Sequence, residues 1–510
     1  MNNPDTGEKM SKLAGKHRSL SPWILGFSVL VYTLFLTLFN CLRYNSGANI
    51  HDIFIFESSF WNTLEKRLFW NFYEFGNHLG VHFSPGLFFL LPFYAVYSSS
   101  YTLLFLHSLF IAAAGIPLYF LSKQILKKQW VSLVVVFTYF CFAPTLGSGF
   151  SGFHESAFVL PFLFGLFWAH EKKKTRLFWL FVVLTLIWKE SYAFLLLFFG
   201  LCLMIKTRTR KKGIQLTIFS GMWAVWSLFI LMPLIRGSLL SSSLIQYRFP
   251  REIGHSFGEI AVNFTRNPVF FFKFAFRKAK LEYLLHLFVP LMLLPFASPV
   301  YLLPIIPQLA QNLLSRYLFG ASLMKHYTAP IIPFLFYSSL RSLFKLRLFI
   351  RKKKKKPFWK IEYIGVIILA LSIFMTLRSE VFKRVFQKKK TRDEILHWLS
   401  PEELKHAKEL GQSVPEDATF AVSGHLAKYF ARRKVICYVS PGFLEIFPFD
   451  YLLYYVKSPE YDIFRKYEHL KKMRDENYKQ IDQKGRLVLY QRLPTTLSRE
   501  QESLLESLPD

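Results

Sequence analysis

Cysteine is scarce in this sequence. Four stand among 510 residues, and no two of Cys41, Cys141, Cys202 and Cys437 have metal-ligand or redox-motif spacing. An internal repeat is also missing, so the inverted-repeat layout of many transporters finds no support. No site for a soluble sugar nucleotide is visible. A cleavable leader is not expected: the apolar run from Trp23 to Leu42 is too long, and no small-residue cleavage site follows it. It reads as a first membrane span. Acids are few as well, 33 Asp and Glu against 64 Lys and Arg, for a net charge of +31. In a water-soluble chain that excess would point to nucleic acid. Here the bases gather in short loops between apolar blocks, the positive-inside pattern, and no nucleic-acid partner is expected.

Apolar residues are what the chain has in plenty: 52% are hydrophobic and 18% aromatic. They fall in blocks of roughly 15–22 residues nearly free of charge, long enough to cross a hydrocarbon core. The expected fold is an α-helical polytopic membrane protein of about 11 spans. These lie at 22–42, 102–122, 130–150, 156–170, 177–188, 192–206, 214–235, 284–297, 299–314, 328–348 and 358–378. The block FSPGLFFLLPFYAVY at 83–97 is short and interrupted by Pro85 and Pro92, so it reads as re-entrant or interfacial.

The basic loops set the topology. They are the N-terminus with Lys12, Lys16 and Arg18, then Lys123 to Lys128, Lys172 to Arg176, Lys206 to Lys212 and Arg341 to Lys356. All are expected to be cytoplasmic. Loops 43–82, 149–155, 189–190, 236–283 and 315–327 then fall outside, with the tail after 378. This gives a basic cytoplasmic segment 1–21, a bundle 22–378 and an outer soluble α/β module 379–510. In that module ATFAVSG (418–424), KVICYVS (434–440) and GRLVLYQR (485–492) read as strands. HLAKYFARR (425–433) reads as a helix, and Arg465 to Lys479 as a solvated one.

The candidate chemistry lies in the outer loops. HDIFIFESSFWN (51–62) carries Asp52 and Glu57, with Phe54, Phe56, Phe60 and Trp61 expected to hold it at the membrane interface. A carboxylate placed so can act as general base on an acceptor hydroxyl, and both are candidate catalytic residues, Asp52 as the base with Glu57 or a histidine supporting it; the plainer alternative is a solvated loop with ordinary charges. In GNHLGVHFSP, His78 and His82 stand four apart, a metal-ligand spacing on a helix, but Gly76 and Gly80 weaken any helix there. A structural or substrate-contacting pair is favoured over a zinc site. His154 and Glu155 end one span, where Glu155 could simply cap a helix. Lys189 and Glu190 fill a very short turn, where a lysine can hold a phosphate or merely reach water. Arg248, Arg251, Glu252 and His255 follow, and Lys273, Arg277 and Lys280 recur at helical spacing, as on an interfacial helix. Lys325, His326 and Tyr327 precede a late span. No cofactor is called for, and a divalent metal stays open.

Six motifs resemble those of a bacterial membrane family, domain of unknown function 2079. They are HDIFIFESSFWN, NHLGVHFSP followed by LLPFY, PLYFLSKQIL, GFHESAFVLP, WKESYAF and KHYTAPIIPFLF, in order over roughly residues 50–340. That family is similar in layout to the C-type glycosyltransferases, which use polyprenyl-phosphate sugars. The resemblance implies that Asp52 is the acid of the first outer loop and Glu57 a second acidic position. It likewise implies matches for His78 and His82, for His154, for the Lys189-Glu190 pair and for His326-Tyr327. Phe54 departs from a usual Gly, Ser58 stands near a usual Gln, and Ser191 replaces a frequent Asp. The function implied is transfer of a sugar from a polyprenyl-phosphate donor to a lipid, glycan or protein acceptor on the outer face of the bacterial inner membrane. The partners are then membrane lipid and the lipid-linked donor, with phosphate-binding charge at Lys189, Arg248 or Lys325. A transporter or flippase would need polar groups in mid-span, which are nearly absent. A non-catalytic assembly protein would work through its outer tail.

Overall fold

The computed structural model describes residues 20–45, 50–74, 76–236, 249–254, 256–316, 318–352, 361–383, 400–423, 426–430, 432–433, 435–439, 444, 447–456, 467–494 and 501. The chain is mostly helical up to Phe382 and ends in a small sheet domain. The first helix, α1 (Ser21–Asn45), buries Leu25, Val29, Tyr32 and Leu36, one stripe at three- and four-residue spacing. Its opposite side is just as apolar, with Trp23 and Phe27 left 72% and 68% exposed. A helix greasy on both sides, one of them uncovered, belongs in lipid.

Among the described residues three helices are long and apolar enough to cross a membrane: α1, Ser100–Leu126 (α3) and Thr207–Arg236. Gln129–Cys141 and Ala143–Phe150, bent by 52°, make a fourth if they count as one span. Pro144, in the first turn of the second piece, has no N–H to continue the first. Other expected spans are shorter: Thr175–Leu186 has 12 residues and Tyr192–Met204 has 13.

Two expected spans, 284–297 and 299–314, are not continuous α-helices. Lys278–Phe288 is followed by tight 3-10 turns at Val289–Leu291, Leu294–Ala297 and Pro299–Ile305, with Met292 and Leu293 left-handed between them. Pro290, Pro295, Pro299 and Pro304 each lack the donor that an α-helix needs. The Pro-bounded block is a 3-10 turn, Pro85–Leu90, running into a helix, Leu91–Val96. At ~2.0 and ~1.5 Å per residue it covers about 21 Å, short of a ~30 Å hydrocarbon core. The basic stretch 270–283 is also not one interfacial helix. It breaks between Pro268–Ala275 and Lys278–Phe288, and Lys280 is buried, donating to the Leu313 and Ser315 carbonyls.

Between α1 and α3 lies a helix, α2 (Ile50–Leu64), and a small antiparallel pair, β1 (Trp70–Asn71) and β2 (Gly76–Asn77). The C-terminal sheet has five strands: β3 (Phe420–Val422), β4 (Ile436–Tyr438), β5 (Tyr451–Tyr455), β6 (Tyr478–Lys484) and β7 (Leu487–Arg492). Their order is β4-β3-β5-β7-β6, with β3 parallel to both neighbours and the rest antiparallel. The three expected strands match β3, β4 and β7. The expected helix at 425–433 is, among its described residues, one 3-10 turn at Ala427–Tyr429. The solvated helix is Glu468–Asn477.

The site depends on what lies under this sheet. Three of the four aromatic rings of α2, Phe54, Phe56 and Phe60, are not spread over a membrane interface, as expected, but buried in protein, and Trp61 is half-buried. Phe56 and Phe60 join the core of the helical bundle. Phe54 instead joins the core of the sheet domain, beside Phe420, Leu453 and the helix Pro401–Gln412. Phe72 enters the opposite face, 4.6 Å from the Phe447 ring by centroids. One short segment is thus packed from both sides.

Candidate functional site

Asp52 and Glu57 both stand on α2. Five residues at ~100° each set them about 140° apart around the helix, so they face different surroundings. Glu57 points at α3 and is buried. It accepts from the Ser100 hydroxyl, from the Ser100 backbone N–H at 3.2 Å and from the Tyr44 hydroxyl at 3.5 Å. Burial raises its pKa, and the Ser100 bonds only partly offset this. It lines a cleft of about 390 Å³ shared with Tyr101, Tyr429 and Arg432, on the seam with the sheet domain.

Asp52 turns toward a second group of residues. Its carboxylate is 3.8 Å from the Lys325 ammonium. With His154 and His326 it forms a cluster whose ligand-capable atoms all lie within 4.8 Å of one another. The two imidazoles stack, centroids 3.1 Å apart and planes 21° from parallel. His154 Nδ1 lies 2.6 Å from Glu155 Oε2, and the Lys189 ammonium binds the other oxygen, Oε1. Glu155 is wholly buried. Burial pushes its carboxyl up, but His154 and Lys189 together outweigh this and hold it well below the usual range. Burial, then the His154 ring, pushes the His326 imidazole well below its usual value, which keeps it neutral.

Local geometry explains these placements. Gly152, at φ +83°, makes the turn that follows Ala143–Phe150, and His154 leaves it in an extended conformation. Lys189 and Glu190 sit in the turn between Thr175–Leu186 and Tyr192–Met204. That turn is fixed by the buried Trp188, stacked on Phe158 with centroids 4.6 Å apart. Gly86 must lie against the Trp188 ring, since a Cβ there would come within 2.8 Å of it.

The histidine segment closes the other side. His78 opens the single turn His78–Val81 and His82 ends it. Each has its own acid: Glu74 at 2.8 Å from His78, and Glu190 at 3.3 Å from His82. Burial works against the His78 charge, but Glu74 more than compensates and raises its pKa. Burial, then Lys189, lowers that of His82. Glu190 also accepts from the Phe83 backbone N–H at 3.1 Å.

A cavity of about 420 Å³ opens beside these groups. His82, Ser156, Lys189, Glu190 and Tyr327 are among its polar lining residues, with Gln308 and Gln311; Leu195, Leu228, Met232, Phe249 and Leu314 are among its apolar ones, and the lining is mostly apolar. Lys189 therefore borders the cavity and ties it to the cluster. Of the sequence candidates, Asp52, His154, Glu155, Lys189 and His326 come together, and His82, Glu190 and Tyr327 stand at the cavity. His78 lies next to His82, rings 5.9 Å apart. Glu57 lies apart, and Arg248 falls outside the described residues. Glu74 is a site residue that the motif reading misses, although its place four residues before His78 is a readable signal.

The family model for the predicted membrane proteins called DUF2079 matches residues 46–483. The chain belongs to DUF2079. No curated protein matches it. As a DUF2079 chain it is a membrane protein, in keeping with its apolar helices. The DUF2079 match starts just after α1 and ends inside β6, so it takes in the whole cluster, the cavity and most of the sheet domain.

Proposed function

We propose that this chain is a membrane-embedded glycosyltransferase with a lipid-linked donor. In this reading it is a C-type-like bundle of about 11 spans in the bacterial cytoplasmic membrane, with its sheet domain outside. The polyprenyl chain lies in the 420 Å³ cavity, and its phosphate lies where Lys189 borders it. The observation that carries the reading is this cavity: mostly apolar in its lining, and bordered by a lysine bonded into a carboxylate–imidazole cluster. Such a lining suits hydrocarbon with a charged head, not a soluble nucleotide.

The step is a substitution at the sugar. The acceptor oxygen bonds to the anomeric carbon, and the bond from that carbon to the phosphate oxygen breaks. The electron pair leaves with the polyprenyl phosphate, and the acceptor proton passes to Asp52 as general base. Lys325 and Lys189 offset the charge that gathers on the leaving phosphate. Glu57 holds Ser100 and touches neither reactant.

The test uses the purified chain in lipid nanodiscs, given a panel of polyprenyl-phosphate hexoses and pentoses with a bacterial lipid extract as acceptor. Released polyprenyl phosphate is measured by mass spectrometry. The wild type should release it, and Asp52→Asn should slow release by about 10²–10⁴-fold. An assembly protein would release none, and a flippase would move the donor across the bilayer uncleaved; either result removes the reading.

A further inference from the structure

We propose that Asp52, His154 and His326 bind a divalent transition-metal cation, with Glu155 positioning the His154 ring. The proposal deepens the transferase reading and rests on it only for what the cation does there; binding itself stands on geometry. The three ligand-capable atoms lie within 4.8 Å of one another. Asp52 comes from α2, His154 from the extended residue before the turn Glu155–Phe158, and His326 from the start of the turn His326–Ile331. These segments are far apart in the chain. Nothing local forces that meeting, as it would for two histidines on one helical turn.

Two further observations point at a cation. His154 Nδ1 lies 2.6 Å from Glu155 Oε2, so a buried carboxylate stands beside the ring. A carboxylate behind an imidazole is the usual outer partner of a metal-binding histidine. His326 is buried, and its Nδ1 has no hydrogen-bond partner among the described residues. Buried polar atoms normally find one, and a cation bound through that nitrogen would supply it.

The geometry needs little adjustment. With metal–ligand bonds of ~2.1 Å, neighbouring ligands of a tetrahedral ion are about 3.4 Å apart, so side-chain rotations of about an ångström close the site. The Lys325 ammonium, 3.8 Å from Asp52, is 36% exposed and can turn to water as the ion arrives. Two imidazoles and one carboxylate favour Zn²⁺, Mn²⁺ or Fe²⁺ over Mg²⁺ or Ca²⁺. Three protein ligands leave a position open for a substrate oxygen. In the transferase reading the ion would sit against the departing phosphate, while the second oxygen of Asp52 stays free for the proton.

The full chain, purified in nanodiscs, is stripped with a chelator, desalted and titrated with Zn²⁺ or Mn²⁺, and bound metal is measured by mass spectrometry. One equivalent of Zn²⁺ should be retained. His154→Ala and His326→Ala should weaken it at least tenfold, and Glu155→Gln by about 10–100-fold. His469→Gln, on an exposed helix of the sheet domain, should keep it. Should the variants fail to fold, Co²⁺ on the wild type decides: a ligand-field spectrum of a nitrogen-bearing low-coordinate site supports the proposal, and an octahedral aquo spectrum overturns it. Unchanged affinity in both histidine variants also overturns it. Zinc bound without donor cleavage leaves this site standing and removes the transferase; transfer by the metal-free chain leaves the transferase standing and removes the cation's part in it.

Discussion

Lys189 bonds to Glu155 across the interior of the bundle, and that carboxylate has no exposed surface at all. The pair joins the turn before Tyr192–Met204 to the segment carrying His154. Lys189→Met would leave the Glu155 charge facing only His154. Loss of one partner of a buried pair costs about 3–5 kcal/mol. The expected outcome is a marked drop in melting temperature in detergent, largely recovered in the double variant Lys189→Met/Glu155→Gln. A single variant as stable as the wild type would show that the pair is not formed.

Glu57 gives a pH signature. Its folded pKa is raised by burial above its value in the unfolded chain. Its contribution is therefore fully present below the unfolded pKa, ~4.3, and is lost as pH rises through the folded value. Glu57→Gln keeps an oxygen to accept from Ser100 but carries no charge. It should melt above the wild type at pH 8, with the gap closing toward pH 4. A gap that widens on acidification would contradict this.

Phe54 is a direct link between α2 and the sheet domain. It is buried in that domain's core. Phe54→Ala should cost about 3–5 kcal/mol. Hydrogen exchange should locate the loss in β3, β5 and α2 rather than in α1 or α3.

Topology can be read by thiol labelling. In a chain with its four native cysteines replaced, Gln480→Cys on β6 and Lys174→Cys in a basic loop are both exposed positions. An impermeant maleimide should label the first in intact cells and the second only after permeabilisation. The reverse pattern would place the sheet domain inside and remove an outward-facing site.

Periodicity and run length make the helical membrane class readable, and α1 and α3 lie close to the expected spans. Proline reads as an interruption at 83–97, yet the same effect at Pro290, Pro295, Pro299 and Pro304 is masked because the hydropathy there stays high. β6 is hidden because YKQIDQK is an exposed edge strand with no apolar alternation to read. At the site, Asp52, His154, Lys189 and His326 can be picked out as polar groups in apolar settings. Which of them meet cannot, because the pairing is made by tertiary packing of separate loops. The divergence of Asp52 from Glu57 follows from five-residue spacing once α2 is known to be helical throughout. The role of Phe54 is unreadable because, Tyr73 apart, the core it joins is built of residues more than 350 positions downstream, such as Ala407 and Phe420.

Two positions of helix separate Phe54 from Asp52, an axial distance of only about 3 Å. Any tilt or tug on the sheet domain is thus delivered through a rigid rod straight to the carboxylate. A shift of that domain would thereby change how far Asp52 stands from the two stacked imidazoles.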